Sequence, residues 1–189
     1  MVLMAIVKEG TKREIEAKLA KQGDYVKIDY LVSCLQQNLD FDTRKFVLTQ
    51  LARLYENKGM LAEAGRLMRN AADINTTFAA KISDFLASAK MFARAGKFEE
   101  ADLSIRKALA SGNTREKADI KSKQKLMYMA EADVLLGKEK RREALTAFEK
   151  LQTLDLTPTE KANVENTLLG LYEKLGRVSD FMALKRKLG

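Results

Sequence analysis

The chain has 189 residues, of which 46% are hydrophobic and 32% charged, with ten glycines and one proline. It contains no histidine and one cysteine, which excludes histidine-based catalysis and an internal disulfide. The net charge of +8 permits acidic partners without identifying one. Because the composition is rich in helix-forming residues and poor in alternating patterns, we predict an all-α protein.

The sequence carries no pattern that indicates catalysis. It has no Gly-rich phosphate loop, no paired cysteines, and no serine or cysteine beside a base. We therefore expect a protein that is not an enzyme and that binds no metal and no cofactor. Cys34 lies in the apolar stretch YLVSCLQQ and is predicted to be a buried structural thiol, since no neighbouring motif supports a reactive one.

The N-terminal stretch MVLMAIV is apolar but is not typical of a signal peptide. No basic segment precedes it, and it is short for the apolar region of such a peptide. No apolar run approaches the roughly 20 residues that a membrane-spanning helix needs. We expect a cytoplasmic protein without a membrane span.

The first predicted helix pair is a divergent repeat. Thr11 and Glu14 have the spacing of a capping box, which marks the start of its first helix, and Gly23 falls in its turn. About nine to ten helices are expected in all, joined by short links. The prediction is one domain, 1–189, made of this pair (11–38), two clear repeats (44–110) and two weaker repeats (114–189).

The two clear repeats have a period of 37 residues. Each combines a small and an aromatic residue in a first helix, glycine in a turn, and small and large apolar residues in a second helix. Such antiparallel pairs bury their faces by stacking on one another. The matched residues are Ala52/Ala89, Tyr55/Phe92, Gly59/Gly96, Ala64/Ala101, Met68/Ile105 and Ala71/Ala108.

The two weaker repeats keep only part of this pattern. In the third copy Gly137 falls two residues early, and we predict a turn remodelled by the charged run KEKRR at 138–142. The fourth copy begins at a capping box formed by Thr157 and Glu160 with proline between them. It keeps glycine in the turn but has Phe181 where a small residue is expected.

These residues resemble the tetratricopeptide repeat (TPR) family, whose pattern has a small residue, tyrosine, a turn glycine and a second small–large–small set. The period of 37 exceeds the family's period of about 34, and the family's tryptophan is absent, which is closer to longer-helix TPR-like solenoids such as the soluble NSF attachment proteins. The resemblance implies a right-handed α-α superhelix of about four to five helix hairpins. Unrelated amphipathic helices in a bundle are the alternative.

The resemblance also implies a concave face, lined by the first helices, that binds a protein partner. Arg53 and Lys90 occupy equivalent positions there, and Arg13 and Lys21 extend the same basic strip. We predict a groove for an acidic peptide or a C-terminal carboxylate, because arginine pairs with carboxylates through two hydrogen bonds. Ordinary solvent-facing charge is the alternative. The predicted partner-binding residues are Arg53, Asn57, Leu86, Lys90 and Arg94. Projecting the family pattern onto this sequence also places Ala93 on the concave face.

Chaperone tails are not the expected partner. Leu86 and Asp133 occupy places where the carboxylate clamp of the chaperone-binding TPR proteins needs polar or basic groups.

A second basic region supports an alternative function, the binding of nucleic acid such as RNA. Its lysines recur at intervals of four residues and so lie on one helix face. Against this function, no aromatic residues alternate with the charges. Self-association into a homo-oligomer through terminal helix faces is a third hypothesis. The residues of the alternative patch are Lys117, Lys121, Lys125, Arg141 and Arg142.

Overall fold

The computed structural model describes residues 10–189, which form ten helices and no strand. The prediction of an all-α fold is confirmed. None of the helices in this range is both long and apolar enough to span a membrane. The helices are α1 (Lys12–Leu19), α2 (Asp24–Leu35), α3 (Phe41–Asn57), α4 (Leu61–Asp73), α5 (Phe78–Arg94), α6 (Phe98–Ser111), α7 (Thr114–Gly137), α8 (Arg141–Gln152), α9 (Pro158–Lys174) and α10 (Val178–Leu188).

The chain divides into two compact units, Met1–Thr114 and Arg115–Gly189. The boundary falls between the clear and the weaker repeats. The first unit contains α1 to α6, and the second contains α8 to α10 with nearly all of α7. The apolar N-terminal stretch discussed above lies outside the described residues.

Side-chain caps fix where several helices begin. Thr11 and Thr157 each accept a hydrogen bond from the backbone N–H three residues on, and a glutamate side chain accepts one from the backbone N–H of each threonine. The capping boxes predicted at Thr11 and Thr157 are therefore present. Asp40 and Thr77 cap α3 and α5 in the same way but without a returning glutamate. Each cap satisfies an N–H group that the first helical turn would otherwise leave without a partner.

The first unit is built from helices that pack in chain order, α2 on α3, α3 on α4, α4 on α5 and α5 on α6. Helices α3 and α5 each have 17 residues and begin and end 37 positions apart, which is the period seen in the sequence. The small residues of the repeat lie on α3, α4, α5 and α6 and are fully buried where these four helices pack on one another. They are Ala52, Ala64, Ala71, Ala89, Ala101 and Ala108.

The N-terminal pair α1 and α2 packs its apolar side chains against α3. Ile15, Leu31 and Val47 belong to one buried cluster that also contains Cys34, which is buried as predicted. Gly23 does lie in the turn of this pair, directly before the first residue of α2. Its backbone is extended, with φ of −77° and ψ of 161°. This turn therefore differs in backbone conformation from the turns of the later repeats.

The later turns share one backbone conformation. Gly59, Gly96 and Gly176 have φ between 68° and 75°, the left-handed region that glycine enters most easily. In each turn, the N–H of the next residue donates to a carbonyl five residues earlier, as in a Schellman motif. The first helices α3, α5 and α9 all end two residues before the glycine.

The prediction of a remodelled turn in the third repeat is wrong. Glu139 adopts φ of 56° and takes the position that glycine has elsewhere. The N–H of Lys140 donates to the Leu135 carbonyl at 3.0 Å, which is the same hydrogen bond as in the other three turns. Gly137 is the last residue of α7 and is not in the left-handed region. The third repeat thus keeps the turn geometry, but a glutamate takes the left-handed position that glycine has in the other turns.

Pairs of contacting positions recur along the chain, as the single residues of the repeat do. In the first unit, the Arg69 guanidinium stacks on the Phe92 ring and Lys107 lies over the Phe85 ring. The positions 80 residues later are Glu149 with Tyr172, joined by a hydrogen bond, and Glu165 with Lys187, joined by an ion pair. The same positions therefore meet in both units although the chemistry of the contact has changed. This supports repetition over a bundle of unrelated helices.

Helix α4 approaches α5 closely at Gly65. A Cβ placed there would lie 3.0 Å from the Phe92 ring, and the Gly65 carbonyl accepts a hydrogen bond from the Ser88 hydroxyl at 2.7 Å. The absence of a side chain at this position lets the aromatic ring of the repeat pack directly on the backbone of the neighbouring helix.

Candidate partner-binding surface

Interactions at two points hold α3 and α5 side by side. Near the start of α3, Asn75 bridges the two helices: it accepts from Lys45 at 2.5 Å and donates to Asp84 at 2.5 Å. At the other end, Arg94 of α5 forms an ion pair with Glu56 of α3 at 2.5 Å. We call the exposed and half-buried residues between these points the first-helix face: Thr49, Gln50, Arg53, Leu86, Ala87 and Lys90.

Two cations on the first-helix face have no partner among the described residues. Arg53 and Lys90 are exposed, and neither forms a hydrogen bond or ion pair within residues 10–189. They stand at equivalent positions of α3 and α5, 37 residues apart. Since the charges on both sides of them are paired, Arg53 and Lys90 are the groups on this face that an anion can reach without breaking an ion pair.

The other predicted binding residues have different surroundings. Asn57 is exposed at the end of α3, and Leu86 is half-buried on the first-helix face. Arg94 is exposed, but its guanidinium is occupied by Glu56. The placement of Ala93 on the open face is wrong: Ala93 is fully buried, because it lies on the side of α5 that packs into the core.

An open groove of about 570 Å³ lies between α1 and α3, beside Arg53. Its lining includes Lys12, whose ammonium lies 5.2 Å from the centre of the Phe46 ring. Glu16 and Asp42 also line it, so the groove mixes charges of both signs. Arg13 and Lys21, predicted to extend the basic strip, are exposed on α1 and in the turn after it.

The alternative patch in the second unit is partly neutralised by acidic residues. Lys125 donates to Glu160 at 2.8 Å, and Lys121 lies 3.6 Å from Asp155. The hydrogen bonds from Lys125 and from the Thr157 backbone lower the pKa of the Glu160 carboxyl, so this carboxylate stays charged at neutral pH. Lys117, Arg141 and Arg142 are exposed, with no partner in the part of the chain that the structure describes.

A second groove, of about 400 Å³, lies between α8 and the turn that joins α9 to α10. Beside it, the Tyr172 hydroxyl donates to Glu149 at 3.1 Å. Burial, and then the nearby Glu149 carboxylate, raise the pKa of Tyr172 to about 12. The tyrosine is therefore a neutral donor over the physiological range and holds α9 to α8.

The acidic partners of the basic residues are the feature that sequence reasoning missed. Glu56, Asp155 and Glu160 each neutralise a cation that lies 34 to 38 positions away in sequence. That separation is close to one repeat period. Searching the sequence for opposite charges about one period apart would therefore find these ion pairs.

Comparison of the sequence with protein-family models and with curated proteins finds no match to either.

Proposed function

We propose that this chain is a non-catalytic scaffold of the TPR-like type that binds a protein partner in the cytoplasm. In this proposal, each unit stacks its helix pairs as a right-handed α-α superhelix does, and the first-helix face is the concave side of the first unit. The repeated turns, the buried alanines and the contacts repeated at 80 residues support it.

One observation carries the choice of surface. Arg53 and Lys90 are exposed at equivalent positions of adjacent repeats and have no partner in the described part of the chain, while Lys45 and Arg94 beside them are bound to acidic or amide groups. A cation without a partner gains more from an incoming carboxylate than one that must first lose its ion pair.

The partner that suits this face is a peptide with a carboxylate, either on an acidic side chain or at the C-terminus. Arg53 binds the carboxylate through its planar guanidinium, and Lys90 adds a second charge from the neighbouring helix. Leu86 is half-buried on the same face and gives an apolar contact to the residue next to the carboxylate. Arg94 holds the two helices in register through Glu56.

The experiment is affinity capture from the source cell, followed by mass spectrometry and by binding of peptides from the captured proteins. The double variant Arg53→Glu with Lys90→Glu is expected to weaken the peptide complex by about 100-fold, since two attractive contacts become repulsive. Amidating the peptide's C-terminus separates the two carboxylate sources: only a C-terminal ligand loses affinity.

The matched control is Lys97→Glu with Arg106→Glu. Both of these residues are exposed on or beside α6, have no partner in the described range, and give the same change in net charge. Retained binding by the Arg53/Lys90 variant, or equal losses for the two double variants, would show that the first-helix face is not the site. Circular dichroism confirms that each variant keeps its helicity.

Nucleic-acid binding is the second candidate, and one observation favours it. Lys138, Lys140, Arg141 and Arg142 are all exposed around the α7–α8 turn, without a partner in residues 10–189. Binding to single-stranded RNA that weakens steeply as salt rises from about 50 to 200 mM, and that is lost in Arg141→Glu with Arg142→Glu, would support it. No RNA binding at the lower salt concentration would reject it.

A further inference from the structure

Helix α10 exposes a position that α4 and α8 bury and that α6 fills with the half-buried Asp102. Met182 is 54% exposed. The equivalent residues are Gly65 in α4, which is buried, and Leu145 in α8, which is 5% exposed. These positions are covered because α5 packs on α4 and α9 packs on α8. Helix α10 packs on α9 and presents its corresponding side outward.

A second position on the same side changes from apolar to basic. Met68 in α4 and Phe148 in α8 are 7% and 6% exposed and fill the space against the next first helix. The equivalent residue of α10 is Lys185, which is exposed and whose ammonium lies 5.7 Å from the centre of the Phe181 ring. Thus α10 offers a cation where the stack elsewhere has a large apolar side chain.

Further exposed apolar residues belong to this side of α10. Val178 lies one turn before Met182, and Leu188 lies one turn after Lys185; they are 68% and 46% exposed. Spacings of three and four residues place all four side chains along one face of the helix. We call Val178, Met182, Lys185 and Leu188 the α10 docking face.

We propose that the α10 docking face binds an amphipathic helix of another protein, which packs on α10 as α9 packs on α8. Apolar side chains of this helix cover Val178, Met182 and Leu188, and a glutamate or aspartate side chain meets Lys185. The complementary charge follows from the position of Lys185: an apolar residue packed on it would bury an unpaired ammonium, whereas a carboxylate satisfies it.

The helix dipole does not by itself single out Lys185 among the three basic residues in the last turn of α10. A basic residue anywhere in the last turn complements the partial negative charge of a helix C-terminus, and Arg186 and Lys187 already do so. Lys187 also lies 3.6 Å from Glu165 of α9. Within residues 10–189, Lys185 has no carboxylate partner, and its position in the repeat is buried and apolar in α4 and α8, so it is the residue that a partner's acid can select.

A second copy of this chain fits the face less well than an acidic helix does. In a two-fold dimer, each α10 docking face meets the same face of the other copy, which carries Lys185 and no acidic residue. Like charges that face one another across an interface oppose association. The proposed surface lies on α10 and does not depend on the first-helix face, so either proposal can fail without the other.

The test uses two synthetic 17-residue helices, each the length of α5 and α9, with leucines along one face. One carries glutamates beside the leucines, and the other carries lysines at the same positions. Fluorescence anisotropy with the 189-residue chain is expected to show binding of the acidic peptide at least about tenfold tighter than binding of the basic one. Met182→Asp should remove binding of the acidic peptide, and Lys185→Glu should reverse the preference between the two peptides.

The matched control is Lys161→Glu, an exposed lysine in the first turn of α9 with no partner in the described range; it should bind as the unmodified chain does. Equal affinity for the two peptides, or unchanged binding in Met182→Asp, would overturn the proposal. So would light scattering that shows a homodimer which Met182→Asp converts to a monomer, because the occupant would then be a second copy. Since Met182 and Lys185 are exposed, both variants are expected to fold.

Discussion

Replacing Glu139 by glycine should stabilise the protein, although it removes a side chain. Glu139 has a Cβ, yet it occupies the left-handed position of the α7–α8 turn. Three other turns of the described chain have glycine at this position. The left-handed conformation costs a residue with a Cβ roughly 1–2 kcal/mol. Glycine's greater freedom in the unfolded chain offsets about 0.5–1 kcal/mol of this difference. The central values leave a net gain of about 0.8 kcal/mol for Glu139→Gly.

The assay is urea unfolding followed by circular dichroism. With a slope of about 2 kcal/mol per molar urea, the expected gain moves the midpoint up by about 0.4 M. Glu139 also lies among Lys138, Lys140, Arg141 and Arg142, so its removal changes local electrostatics. Glu139→Gln removes the charge but keeps the Cβ, and the difference between the glycine and glutamine variants therefore isolates the backbone term.

Two further substitutions decide whether the turn has been assigned to the correct residue. Gly96→Ala should destabilise by about 1 kcal/mol, since no other atom lies within 4 Å of the added Cβ and the cost is that of the backbone conformation alone. Gly137→Ala should be neutral or stabilising, because Gly137 is helical and alanine is the better helix former. The reasoning is refuted if Gly137→Ala costs as much as Gly96→Ala, or if Glu139→Gly is less stable than Glu139→Gln.

Three other predictions follow from contacts in the two units. Gly65→Ala should destabilise by about 1–3 kcal/mol in urea unfolding, because its Cβ meets the Phe92 ring, and Phe92→Leu in the same chain should recover part of the loss. Asn75→Ala should cost about 1–3 kcal/mol, since it removes the buried bridge between Lys45 and Asp84; a cost near zero would show that the bridge is not needed. Tyr172 should ionise at about pH 12 in an absorbance titration, and Glu149→Gln should lower that pKa. Because its folded pKa lies above the unfolded value of about 10, the stability contributed by Tyr172 is present below pH 10 and is lost as the pH rises towards 12. Tyr172→Phe should abolish this loss of stability between pH 10 and 12.

The sequence predicts the elements of this fold better than it predicts its one irregular turn. Capping boxes at Thr11 and Thr157 identify helix starts because both partners lie within four residues. The alanines of the repeat identify the packed faces because a helix contact excludes larger side chains there. The third turn is different: glycine marks a left-handed residue only as a preference, so a glutamate in that conformation gives no signal of its own. Comparing helix ends at the repeat period would have located it.

The candidate surface was less predictable for a physical reason. A helix projection shows which side chains point outward, but it does not show which of them meet an acid from a neighbouring repeat. Arg94 and Arg53 are indistinguishable in the projection, yet Glu56 occupies only Arg94. The pairing depends on the side-by-side placement of α3 and α5, which is a property of the packed fold. Function in a repeat of this kind is therefore expected at cations that no acidic residue of a neighbouring repeat occupies, as at Arg53 and Lys90 within the described residues.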